Sequence, residues 1–452
     1  MNKIYVIKNS QHLGTLLEEK NIITFTYANN IEEKSYIKGL KEKVNTSTTL
    51  FPVFQNLLPE HHQLELLIEK HNIKTQIGIL LYLNNIHGSY EFYNERDFQT
   101  FTPSKQPIYN YNDISDEILE SSYTFPNILN YTLDIKDEIL FPEGLVYDQA
   151  MGLSGYQYKF SIDIDHDNSK ISYNRDNNGL YIMKPYNKHM ASFNRHTPDE
   201  YIPYLLLNEH LFMSFAKEFG FKIPYNAIIR HNDEFHYIIK RYDRYDDIKF
   251  DHKEILTFML KPSSEKYNVT MKEVLLTAKE NVEINELIYL FKFIVFSIII
   301  AHGDLHAKNI SLIEKQNILE EQEFMVSPFY DISTTKIYKS LKTKDIGLKV
   351  GNKLFKINKE QICTLAESIE IEKSNAIEII DEVALLFTTK FKDYIQNLPD
   401  DIKGLQVKKA YGSFVPLEVI LNNYYDTRIT YIKDYLQVQS VIDLKNNEEN
   451  IW

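Results

Sequence analysis

Along residues 284–301, INELIYLFKFIVFSIIIA, apolar positions run almost unbroken and stop at His302-Gly303-Asp304. That pattern predicts a largely buried helix ending in a loop anchored to the core. ISLI follows as a short strand, then the charged turn EKQNILEEQEF, then the apolar MVSPFYDI, which together predict a hairpin. Upstream, GLYIMKPY alternates as a strand does, and LLLNEHLFMSFAKEFGF has the spacing of an amphipathic helix. The first part of the chain predicts strands near residues 3–9 and 22–28 and a helix through QLELLIEKH. Helical spacing dominates the last part, in KINKEQICTLAESI, SNAIEIIDEVALLFTTKFKDYIQNL and PLEVILNNYYDTRITYIKDYL. Asp, Ser, Asn and Pro punctuate residues 111–135, which reads as a polar connector with local structure. The longest apolar run, around FIVFSIIIA, is too short to span a bilayer and reads as core helix.

The predicted hairpin carries chemistry at its ends. In AHGDLHAKNISL and the later SPFYDIS, Asp304, Asn309 and Asp331 stand at the spacing of a phosphotransferase. Phosphoryl transfer needs a carboxylate near the attacking hydroxyl, which Asp304 can supply. It also needs oxygen ligands for magnesium across the β and γ phosphates, which Asn309 and Asp331 can supply once the hairpin closes. A cation for the α and β phosphates is available in Lys184, on the strand of GLYIMKPY, and Glu209 on the following helix is its acidic partner. Two glycines flank a serine in GLSGYQYKFSIDI, where backbone amides freed of side chains can approach phosphate, although the full G-x-G-x-x-G is missing. The short segment YIIKRYDR can form a hinge. Each signal has a plainer reading by itself: Asp304 capping a turn, Lys184 facing solvent, the glycines making a hairpin. Their order along the chain is that of a two-lobed kinase.

In SGYQYKFS, YIMKP, NEHLFMSFAKEFGF, RYDR, HGDLHAKN and PFYD the chain resembles the HipA family of serine/threonine kinases, the toxin half of HipBA-type toxin-antitoxin systems. KIYVIKNSQHLGTL and LFPVFQNLLPEHHQLELL resemble the small domain that precedes the kinase in that family. The resemblance implies an α+β, two-lobed protein-kinase-like fold with a mixed amino-terminal lobe, a mainly helical carboxy-terminal lobe and a small α/β amino-terminal domain. The expected boundaries are 1–110 for the small domain, 111–135 for the connector, 136–243 for the first lobe and 244–452 for the second. It further implies transfer of the ATP γ-phosphate to a serine of a protein, such as an aminoacyl-tRNA synthetase, with arrest of translation.

By the same resemblance Asp304 is the catalytic acid/base, and Ser154, Gly155, Gln157, Lys159, Lys184 and Glu209 belong to the ATP site. The backbone of Lys240, Arg241 and Tyr242 is the adenine hinge, and Mg2+ is held by Asn309 and Asp331. Lys308 can neutralise the migrating phosphoryl group, and His306 packs to hold the loop. Family members silence themselves by phosphorylating a serine in the glycine loop. Gly152 occupies the place where some relatives carry it, so Ser154 is the expected autophosphorylation site and Ser161 the second choice.

A chain of 452 residues with 43% hydrophobic residues can bury a large core across two or three domains. One cysteine, Cys363, cannot make an intramolecular disulfide, and MNKIYVIKNSQ lacks the pattern of a secretion signal, so a cytoplasmic enzyme is expected. The net charge of −13 argues against strong binding to nucleic acid by this chain itself. The resemblance supplies a partner for DNA, a small helix-turn-helix antitoxin of HipB type. Lysines in KIYKSLKTKDIGLK form a basic stretch that reads better as a solvated loop. Two rival functions are compatible with HGDLH: a small-molecule phosphotransferase of the aminoglycoside or choline kinase type, and a pseudokinase acting as corepressor. The amino-terminal domain and PFYD disfavour the first; the filled polar roles disfavour the second.

Overall fold

The computed structural model describes residues 3–59, 62–84, 86–140, 150–151, 158–176, 178–186, 204–231, 234–319, 322–338, 344–408 and 413–449. Alternating apolar residues in Lys3–Lys8, Gln11–Glu19 and Ile22–Tyr27 bury one face each and pair antiparallel. With Val44–Ser47 and Tyr90–Tyr93 they make a five-stranded sheet whose apolar face packs on Phe54, Leu57, Leu67 and Ile79. The expected strands near 3–9 and 22–28 and the helix at His62–His71 are present.

A second sheet of seven strands runs in the order 128–129, 226–231, 234–240, 181–184, 160–165, 170–173, 132–134. Residues 111–135 are therefore more than a connector. Ile128–Leu129 and Thr132–Asp134 add parallel strands at the two edges, and the helix Tyr111–Leu119 buries Tyr111, Ile118 and Leu119 against Tyr242, Phe250, Ile313 and Met325. Its polar residues concealed a narrow apolar stripe of one residue per turn. Helix Leu205–Ala216 lies under this sheet and is buried on almost every side, which explains its weak amphipathic pattern.

The second lobe is built on the helix Ile284–Ile299, enclosed by Lys373–Gln396, Leu417–Tyr431 and the 205–216 helix. Capping boxes at Thr270/Glu273 and Asn358/Gln361 start two of its shorter helices. The 284–299 helix ends where Ala301 turns left-handed, at φ +56°. Its last carbonyls are then met by side chains: Ile298 and Ile299 accept from Arg428 at 2.8 and 2.6 Å, and Ile300 accepts from the Tyr424 hydroxyl at 2.8 Å. Arg428 is 2% exposed and also donates to Asp345 at 2.9 Å. A cation at a helix carboxy terminus is electrostatically favoured, and here it also fixes where the next loop begins. Strands His252–Glu254, Ser311–Glu314 and Phe324–Val326 form a small antiparallel sheet that continues from that loop.

The amino-terminal domain is joined to this body by buried charge. Lys8, 2% exposed, meets Asp251 at 3.1 Å and Glu314 at 3.6 Å, and Lys253 meets Asp251 at 2.7 Å. Burial opposes the charge of Lys8, but the two carboxylates outweigh it and raise its pKa. Among the described residues no helix is long and apolar enough to cross a membrane.

Candidate functional site

The site forms where the two lobes face each other. Tyr181–Lys184 is a central strand of the seven-stranded sheet, so Lys184 points from a rigid platform into the gap. Its ammonium donates to Glu209 at 2.8 and 3.0 Å and to Asp331 at 3.1 Å. Burial would lower the pKa of Lys184, yet Asp331 and Glu209 together hold it above its ordinary value. Glu209, 4% exposed, is pushed up to about 7, because burial outweighs the nearby ammonium. Asp331 goes the other way: Lys184 overcomes its burial and holds the carboxyl well below the usual range.

The hairpin closes as the alternation of ISLI and MVSPF predicts. Asn309 Nδ2 donates to Asp331 Oδ2 at 2.9 Å, while its Oδ1 accepts from the His306 amide at 3.1 Å. Asp331 sits in the left-handed region, φ +57°, a conformation that costs on the order of 1 kcal/mol for a residue with a side chain. Its neighbours over-determine it. Phe329 stacks on Phe293 at 3.6 Å, the Tyr330 hydroxyl donates to the Lys308 carbonyl at 2.7 Å, and Asn208 donates to the Thr334 carbonyl at 2.9 Å. Asn208 immediately precedes Glu209, so the helix that carries the lysine's partner also holds the segment that carries Asp331.

Asp304 is exposed and is not among the residues that line the gap with Lys184 and Asp331. The surrounding protein raises its pKa, donation from the Tyr267 hydroxyl at 2.5 Å opposes that, and Asp331 adds to the rise. The loop before it is pressed against Thr335: a Cβ on Gly303 would overlap the Thr335 hydroxyl, so a larger residue in HGD requires Thr335 to shift. His302 is buried, and burial lowers it to about 4.

Other expected residues fall differently. His306 is buried edge-on to Tyr267, 5.0 Å between ring centres, and its Nδ1 accepts from the Lys308 amide at 3.3 Å. Lys308 is wholly buried, 2.7 Å from Ser263 Oγ and 3.4 Å from Glu254, which lines the cleft, so its ammonium is held behind the cleft wall and is not exposed in the cleft. The hinge side chains also turn away: Lys240 to Glu120 at 2.6 Å, Arg241 to Asp243 at 2.7 Å. The amides of Lys240 and Arg241 already donate to Tyr225 and Leu180 carbonyls. Lys159 lines the cleft. Ser154, Gly155 and Gln157 lie outside the described residues. Ser161, the second choice for autophosphorylation, is fully buried in the sheet, where no phosphate could be added without opening it.

Lys184, Glu209 and Asp331 line an open cleft together with Lys159, Ile182, Ile239, Tyr242 and Tyr330. An apolar slot ending in a cation and a carboxylate is suited to a planar base bearing a polyphosphate. Among the described residues no cluster of three or more His, Cys, Asp and Glu could hold a metal. Mg2+ does not require one, since it is usually bound by one or two carboxylates with substrate phosphates and water. Asp331 and, after release of its amide from that carboxylate, Asn309 offer the oxygens.

Sequence reasoning passed over Tyr267, Asn208 and Arg428. Tyr267 is one of 32 tyrosines, and Arg428 lies 124 positions after Asp304, with no local pattern to mark either.

A family model described as the HipA-like C-terminal domain matches residues 151–391, and one described as the HipA N-terminal domain matches residues 4–85. A protein of Haemophilus influenzae named "Putative kinase" is 28% identical over 207 residues, 42% of this chain and 54% of that protein. The chain thus spans about half the length of this curated relative. A chain of the Shewanella oneidensis MR-1 toxin-antitoxin complex of HipA, HipB and operator DNA has the same fold, with a TM-score of 0.63 at 13% identity, over 97% of this chain and 99% of that one.

Proposed function

Since this chain belongs to the HipA family, whose C-terminal domain model matches residues 151–391, we propose that it is an ATP-dependent protein serine/threonine kinase. The observation that carries the proposal is the arrangement of Lys184 between Glu209 and Asp331, with Asn309 on the other oxygen of Asp331. A cation held between two carboxylates would orient the phosphates. Mg2+ bound with ATP would neutralise charge on the β and γ phosphates. Asp304 accepts the proton of the acceptor hydroxyl as its oxygen bonds to the γ-phosphorus and ADP departs. The raised pKa of Asp304 makes it a better base than an ordinary carboxylate.

The finer reading is a toxin of HipBA type that phosphorylates a serine of a protein such as an aminoacyl-tRNA synthetase and pairs with a HipB-like antitoxin, through which it meets operator DNA. The fold shared with the HipA–HipB–operator assembly supports the antitoxin, and the net charge of −13 supports leaving the DNA to that partner. Self-inactivation at Ser154 would add close to two negative charges beside the phosphate site.

The test is intact mass with peptide mapping after phosphatase-treated wild type and Asp304→Asn are incubated with Mg2+ and ATP. Phosphate on wild type only, at Ser154, is expected, and Ser154→Ala should lose that phosphopeptide. Equal incorporation in Asp304→Asn would remove Asp304 from the chemistry. A wild type that neither gains phosphate nor binds ATP would sink the kinase reading.

A further inference from the structure

One wall of the cleft comes from neither lobe. His87 belongs to the loop between Leu83–Asn84 and Tyr90–Tyr93 in the amino-terminal domain, yet it lines the cleft with Tyr242, His252, Lys184 and Asp331. It is 4% exposed, and its ring stands 5.1 Å from that of His252 at 61°.

The loop is locked on both sides of His87. The Ile86 carbonyl accepts from Arg241 at 2.8 Å and from Arg244 at 2.7 Å, and the Gly88 amide donates to Asp243 Oδ2 at 2.9 Å. Gly88 has φ +77°, and a Cβ there would stand 3.0 Å from the His252 carbonyl oxygen, so the backbone approaches as closely as glycine permits. Asp243 is buried between two guanidiniums that hold its carboxyl far below the usual range despite that burial. A buried group of this kind tolerates little displacement of its partners. His87 is consequently held in place by Arg241 of the hinge segment and by Asp243 and Arg244, which follow it.

We propose that His87 is a nucleotide-binding residue supplied by the amino-terminal domain, and that it contacts the sugar of the bound nucleotide. The reasoning rests on the kinase reading. If the base lies against the Lys240–Tyr242 backbone and the phosphates lie at Lys184 and Asp331, the pentose occupies the stretch between them, where His87 and His252 meet. Burial, reinforced by His252 and Lys308, pushes His87 well below the ordinary histidine value. A neutral imidazole can donate to or accept from a hydroxyl, and it adds no positive charge that would draw the phosphates away from Lys184.

The experiment measures dissociation constants of the full chain for Mg2+ with ADP, 2′-deoxy-ADP and 3′-deoxy-ADP by calorimetry, in wild type, His87→Phe and His87→Ala, with thermal melts to verify folding. His87→Phe preserves the ring volume and removes the nitrogens. Wild type should prefer ADP to at least one deoxy analogue by about tenfold, the worth of one hydrogen bond in a dry site. Both variants should weaken ADP to the level of that analogue and leave the analogue unchanged. The proposal is overturned if wild type shows no sugar preference, if the folded variants keep it, or if they weaken all three ligands equally. Those outcomes leave ADP binding in wild type intact, whereas a wild type that binds no adenine nucleotide overturns the kinase reading and this inference with it.

Discussion

Replacing Arg428 with alanine tests whether the loop that carries Asp304 hangs from the end of the 284–299 helix. The side chain donates to the carbonyls of Ile298 and Ile299 and to Asp345, all buried. Losing a charged donor strands the Ile299 carbonyl at roughly 2 kcal/mol, while the Ile298 carbonyl keeps the Ala301 amide at 3.2 Å and loses roughly 1 kcal/mol. Asp345 keeps the Lys356 amide at 2.6 Å and Lys336 at 3.1 Å, so its share is small, on the order of 1 kcal/mol. The sum is about 4 kcal/mol, within the 3–5 kcal/mol typical of breaking a buried ion pair from one side. Against a total stability of about 5–15 kcal/mol, that shifts a urea midpoint strongly without necessarily abolishing folding. Urea denaturation followed by far-ultraviolet circular dichroism measures it, with Arg428→Lys expected to recover about half. In a double-mutant cycle with Asp345→Asn, the combined loss should be smaller than the sum. A loss below about 1 kcal/mol in Arg428→Ala would refute the reasoning, because it would mean that the helix end is held by its packing alone.

Gly303→Ala places a Cβ against the Thr335 hydroxyl and should destabilise the protein by about 1–3 kcal/mol; adding Thr335→Ser, which leaves the clashing hydroxyl, should rescue less than adding Thr335→Ala. Asp331→Ala removes a partner of Lys184 and of Asn309, so phosphate transfer should fall at least a hundredfold while the melting curve stays cooperative; wild-type transfer rates would show that Asp331 holds no metal. Because the folded pKa of Glu209 is raised from 4.5 to about 7, the folded state holds the proton more tightly. The resulting stability is fully present below pH 4.5 and lost as pH rises through 7. Melting temperatures taken from pH 5 to pH 8 should thus fall more in wild type than in Glu209→Gln, and parallel curves would contradict the burial argument.

Local pattern sufficed for the pieces of the site that neighbour each other in sequence. The buried run at 284–299, the hairpin after it and the strand with Lys184 are short-range features, and period and turn residues encode them directly. The same is true of Asp304, Asn309 and Asp331, whose side-chain types and intervals are those that phosphoryl transfer requires. Roles that depend on direction were less legible. Lys308 lies one residue from Asn309, yet a loop fixes orientation residue by residue, and its ammonium turns into the base toward Glu254. The strands at 128–129 and 132–134 are two and three residues long, too short for any alternation to show, and join a sheet only because neighbouring strands offer free edges.

The sequence by itself determined the main elements, their order and the positions of the candidate phosphate-handling residues, because hydrophobic period and chemical type are properties of adjacent positions. Tertiary structure decided which distant residues complete the site: Tyr267 on Asp304, Arg428 under the helix that carries the loop, and His87 from another domain at the wall of the cleft. The hydrogen bonds that hold the His87 loop span as many as 158 residues, as between Ile86 and Arg244. They follow from how buried carbonyls and charges are satisfied once the chain has closed on itself, a condition imposed by the whole core.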